Sequence, residues 1–88
     1  MVRQPLTPEQ IAAGRRLGLA LRAARAGRSI VEVAVAAGIS PETLRKIEAG
    51  RLPAPAFGTV VCLSQALEVP LKDLADAWLA DMPVKQAS

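Results

Sequence analysis

From Ser29 to Gly50 the chain reads SIVEVAVAAGISPETLRKIEAG, and the reading of this stretch decides the fold. Two short helices are announced in it, each by its own start signal. Ser29 with Glu32 three residues later spells a capping box, which satisfies backbone N–H groups that a helix start leaves bare. Ser40 followed by Pro41 spells an N-cap with proline at the first helical position, where the missing N–H costs nothing. Ala37-Gly38-Ile39 is the three-residue turn between them. The pattern predicts helices over Ile30–Ala37 and Pro41–Ala49, with Val33, Ala34, Ala37, Leu44 and Ile47 facing inward and Ile39 beneath them. Gly50 is the stop, open to the left-handed conformation.

Upstream, Thr7-Pro8-Glu9-Gln10 is another start signal, with Thr7 as cap and Gln10 at the third position. It predicts a helix from Pro8 to Ala26 that stops near Gly27. Ala13, Leu17, Ala20, Leu21 and Ala24 fall on one side of it, and Arg15, Arg22 and Arg25 on another. Gly14 and Gly18 each cost about 1 kcal/mol relative to alanine, or admit a close neighbour. Downstream, Arg51-Leu52-Pro53-Ala54-Pro55 is a proline-stiffened connector. A fourth helix is expected over Ala56–Glu68, with Phe57, Val60, Val61, Ser64 and Leu67 inward and Cys62 on the opposite side. Val69-Pro70 breaks it. A fifth covers Leu71–Asp81, with Leu71, Leu74, Ala75, Trp78 and Met82 on one face. No stretch alternates with a two-residue period, so no sheet is expected. The fold class is all-α, a compact five-helix bundle: one domain over residues 7–82, between a loose arm at 1–6 and a tail at 83–88.

Composition narrows the function. Histidine is absent and Cys62 is the one cysteine, which removes Ser-His-Asp and Cys-His catalysis, an internal disulfide and the common zinc sites. Asp73, Asp76 and Asp81 share the last helix, and they read as a solvated face rather than a metal site. An enzyme is not expected, nor a cofactor. No run of about 18 apolar residues spans a membrane, and no basic-then-apolar leader opens the chain, so the expected location is the cytoplasm. The net charge of +3 is unevenly spread: residues 1–52 carry nine basic residues against four Glu, and residues 53–88 two Lys against four acids. A basic N-terminal part suits a polyanion, leaving the C-terminal third for another task.

The residues from Gly27 to Leu74 resemble the Xre-type helix-turn-helix domain, the fold of phage Cro and repressor DNA-binding domains. The matching run is Gly27-Arg28-Ser29, Glu32-Val33-Ala34, Ala37-Gly38-Ile39-Ser40, Thr43-Leu44-Arg45-Lys46-Ile47-Glu48 and Gly50. It continues through Pro55, Thr59-Val60, Leu63, Leu67, Val69-Pro70-Leu71 and Leu74, in one unbroken register over about half the chain. The resemblance implies a lambda-repressor-like bundle and a bacterial transcription regulator. Such a protein binds palindromic double-stranded DNA as a homodimer, and here the expected mode is repression by occlusion.

The same resemblance assigns roles. The family's reading helix falls on Pro41–Ala49, so Glu42, Thr43, Arg45 and Lys46 are the expected base contacts. Lys46 donates to guanine, Glu42 accepts from cytosine N4 or repels phosphate, Thr43 meets a thymine methyl or a phosphate, and Arg45 reaches a base edge or the backbone. A plainer reading has Glu42 and Lys46, four residues apart, simply pairing on the helix surface. Phosphate contacts are expected from Ser29 and the free N–H groups starting at Ile30, with Arg28 and Arg51 flanking them. Dimer contacts are expected at Leu74, Trp78, Leu79 and Met82. Three departures stand out. Ile30 replaces a glutamine that usually holds a phosphate, Pro41 replaces a frequent Gln or Arg, and the helix-one arginine that partners Glu48 is off register, leaving Arg22 or Arg25 for that role. Ile30 and Pro41 keep a second reading open: a protein-interaction module, or an antitoxin with a protein partner, that retains the fold.

Overall fold

The computed structural model describes residues 6–80, which form five helices: α1 (Pro8–Arg25), α2 (Ile30–Ala37), α3 (Pro41–Glu48), α4 (Phe57–Leu67) and α5 (Leu71–Leu79). The arm expected at 1–6 (save Leu6), the tail at 83–88, Asp81 and Met82 lie outside the described residues. No described helix is long and apolar enough to cross a membrane.

Three of the five starts are capped by side chains. At α1 the box is complete: Thr7 Oγ1 accepts from Gln10 N at 3.1 Å, and Gln10 Oε1 accepts from Thr7 N at 2.9 Å. Ser29 Oγ accepts from Glu32 N at 2.9 Å, the serine half of the expected box at α2, and Ser40 Oγ accepts from Thr43 N at 3.0 Å. Each such cap contributes about 1 kcal/mol. The starts of α4 and α5, at Ala56 and Pro70, have no side-chain cap, so packing must hold them.

Three helices end in the same way. In each, a left-handed residue lets its own N–H and the next one turn back onto the last carbonyls. Gly38 (φ 75°) does this for α2 and Gly50 (φ 78°) for α3, where Arg51 N donates to Lys46 O at 2.9 Å. Glu68 (φ 55°) does it for α4, with Val69 N donating to Ser64 O at 3.0 Å. The end of α1 differs from the expected stop at Gly27. Ala26 takes the unusual conformation (φ 52°, ψ −123°), and Arg28 N donates to Arg25 O at 3.0 Å, closing a type II′ turn one residue earlier.

The core is a single cluster. Leu17 and Leu21 of α1 meet Val33, Ala34 and Ala37 of α2, Leu44 and Ile47 of α3, Leu63 and Leu67 of α4, and Leu74 of α5. Helix α1 packs on α3 and α5, while α2 packs on α3 and α4. The approach of α1 to α3 depends on glycine: a Cβ at Gly18 would lie 2.5 Å from Glu48 O and 2.6 Å from Ile47 O. A Cβ at Gly14 would collide with Pro53. Helix α5 is tied to α1 by Arg16, which donates from Nε to Ala77 O at 3.1 Å and from Nη2 to Trp78 O at 2.8 Å. Trp78 Nε1 donates to Pro53 O at 3.2 Å.

Three placements correct the expectations. Phe57 is not inward but 73% exposed, because the connector delivers it at the very first position of α4, outside the reach of the cluster. Ala75 is exposed too. Leu74, expected as a dimer contact, is 2% exposed and belongs to the core cluster, so it offers a second molecule almost no surface.

Candidate nucleic-acid interface

The turn Gly38-Ile39-Ser40 sets α3 against α2, and the burial of Leu44 and Ile47 fixes which side of α3 faces out. Glu42, Arg45 and Lys46 are on that exposed side. Thr43 is half-buried, and its hydroxyl shares a 2.8 Å hydrogen bond with Ser40 Oγ, so part of its polar capacity goes to the cap. Lys46 Nζ lies 3.9 Å from Glu42 Oε2, with both side chains largely in water. That surface pairing is the plainer reading, but an exposed pair at this distance contributes only a few tenths of a kcal/mol and leaves both groups free to re-aim.

The expected phosphate contacts are dispersed. Ser29 caps α2. Ile30 is half-buried and its side chain packs against the core, so only its backbone N–H, which helix geometry leaves without an intrahelical acceptor, can face an anion. Arg28 is turned the other way: its Nη1 donates to Ala66 O at 2.9 Å and clasps the end of α4. Arg51, just past α3, is exposed.

Arg25, not Arg22, is the partner of Glu48. Arg25 Nε donates to Oε2 at 2.7 Å and Nη2 to Oε1 at 3.0 Å, while Nη1 donates to Arg28 O at 2.8 Å. The side chains are 16% and 7% exposed. The Glu48 hydrogen bond pushes the Arg25 guanidinium above its ordinary pKa; burial works against the rise and the Glu48 charge adds to it. The pair welds the end of α3 to the end of α1, so the exposed face of α3 is held rigidly against the bundle. Arg22 and Arg45 line the same pocket as this pair, about 230 Å³ in volume, together with Ile30 and Ala49. Sequence reading left Arg22 as a rival for Glu48. The available signal was spacing: Arg25 is the last residue of α1 and so sits nearest the turn that leads to α2.

A capped α2, a fixed turn and a clamped α3 with a polar outer face define a helix-turn-helix protein of the DNA-binding type. The family model described as helix-turn-helix domain matches residues 16–78, and the chain belongs to that family, in the Xre-like class. Among solved structures it is similar to the clp gene regulator ClgR from C. glutamicum, with 27% identity over 93% of this chain and 100% of that one, and a TM-score of 0.67. No curated protein matches it significantly. The family and this likeness support DNA-binding transcription regulation.

Proposed function

We propose that the chain is a transcription regulator that binds a palindromic operator as a homodimer in the cytoplasm and represses by occluding it. The observation that carries this reading is the clamped α3: Leu44 and Ile47 fully buried, the Arg25–Glu48 pair locking its end, and Glu42, Arg45 and Lys46 left facing outward. In this reading Lys46, Glu42 and Thr43 meet base edges, Arg45 a base or the backbone, and Arg51 the backbone. The second copy docks where α5 ends, at exposed Leu79 and half-buried Trp78.

Selection of bound sites from a random duplex pool tests binding, symmetry and half-site spacing together. Half-sites about 34 Å apart are expected. Binding to no duplex at 50 mM salt, or binding indifferent to salt, overturns the reading. Lys46→Ala is expected to change which bases are preferred, whereas Arg51→Ala weakens all sequences alike, both readable by competition binding. Leu79→Asp is expected to shift sedimentation toward the monomer.

One observation favours a second reading. Val31 and Val35 lie one turn apart on α2 and are 52% and 71% exposed, an apolar strip beside the expected phosphate contacts. A module that binds protein through α2 would purify with a stoichiometric partner, lose it on Val35→Asp, and ignore DNA.

A further inference from the structure

A cationic pocket lies between the end of α1, the start of α2 and the face of α3, and of its charged lining only Arg45 is among the contacts assigned above. Three arginines and one glutamate line it: Arg22, Arg25, Arg45 and Glu48. The bidentate bond between Arg25 and Glu48 cancels one positive charge against the single negative one and uses both carboxylate oxygens. Arg22 and Arg45 remain, one on each neighbouring helix. Both are exposed, and among the described residues neither has an ion pair or a hydrogen bond that would hold its guanidinium. Two unpaired guanidiniums opening onto one pocket repel each other unless an anion sits between them, and the planar fork of arginine suits a tetrahedral oxyanion. The volume of about 230 Å³ equals roughly eight water molecules, room for a phosphate group with some of its hydration shell. Arg45 also precedes Lys46 on the outward face of α3, so an anion seated here lies alongside whatever that face reads.

We infer that the Arg22–Arg45 pocket seats one backbone phosphate of the bound duplex. This rests on the DNA-binding reading and sharpens it in two ways. Arg45 is a phosphate ligand rather than a base reader, and Arg22, on α1, belongs to the interface. The pair takes up the phosphate-holding task for which the side chain of Ile30 is unfit.

The test uses the full chain as wild type, Arg22→Ala and Arg45→Ala. Duplex affinity is measured against salt for a selected site and for an unrelated duplex, and amide spectra are recorded during titration with inorganic phosphate. Each variant is expected to lose on the order of tenfold in affinity for both duplexes, with the log–log salt slope shallower by about 0.9. Thermal midpoints are expected not to fall, since neither side chain has a partner to lose and removing one relieves their repulsion. An unchanged slope for Arg22→Ala, with the wild type still binding, overturns the inference and leaves the DNA-binding reading intact. If the wild type binds no duplex, that reading fails. The phosphate titration then identifies the source of the anion: shifts of the Ile30 and Ala49 amides that vanish in both variants keep the pocket as a free-oxyanion site, and their absence overturns it.

Discussion

Two residues hold a backbone conformation that their own side chains disfavour. Ala26 (φ 52°) and Glu68 (φ 55°) both sit at exposed helix ends, and an L-residue with positive φ costs about 1–2 kcal/mol. Ala26→Gly and Glu68→Gly are each expected to raise stability by about 1 kcal/mol, a rise of about 4–8 °C in thermal midpoint by circular dichroism. The reverse exchange has a sign that depends on the neighbourhood. Gly18→Ala gains about 1 kcal/mol of helix propensity, but its methyl meets the carbonyls of Ile47 and Glu48, so a net loss of about 1–3 kcal/mol is expected. Gly58→Ala in α4 has nothing within 4 Å and is expected to gain up to about 1 kcal/mol. The two glycines look alike in the sequence. What separates them is a backbone that arrives from thirty residues away, and no local pattern records that. The offset at Ala26-Gly27 was hidden for a related reason: the glycine marked the turn but not which of its positions carries the strain.

At the scale of elements, the helix starts were legible because capping is local: Thr7, Ser29 and Ser40 each bond an N–H three residues ahead. The five helices lie where periodicity placed them, each shorter by a residue or two at an end where that differed. The inner faces were less legible. Helical spacing grouped Phe57 with Leu67, yet only packing decides how far along α4 the core reaches. The same holds for the α1–α3 clamp, in which Arg22 and Arg25 were equal candidates until the turn fixed their directions. The clamp carries a measurable expectation. Arg25→Ala leaves the Glu48 carboxylate, 7% exposed, without its counter-charge, and is expected to cost about 2–4 kcal/mol in urea unfolding. Adding Glu48→Ala is expected to recover part of that loss, with a coupling of about 1–3 kcal/mol in the double-mutant cycle. Free energies that simply add would show the clamp to be a bystander.

At the scale of the molecule, charge and packing divide the work between two ends. The basic part of the chain supplies α1, α2 and α3, while α4 and α5 carry Glu68, Asp73 and Asp76 against the single described lysine of that half, Lys72, which donates to Asp76 at 2.7 Å. The Asp76 hydrogen bond, with the Asp76 charge, holds Lys72 above its ordinary pKa on a fully exposed surface. This division was visible in the sequence as a change of sign near residue 52; its arrangement in space was not. One further consequence follows from where Trp78 sits. It is the only tryptophan in the chain, and it lines an apolar groove of about 350 Å³ between α1, the connector, α4 and α5, whose walls include no residue of α2 or α3. The molecule therefore carries an intrinsic fluorophore at one end and none at the other. Its emission maximum is expected to hold still when a duplex loads onto α3, and to move when α5 detaches or a second copy docks beside Leu79. A single spectrometer can then time assembly and DNA loading as separate events, with no dye attached.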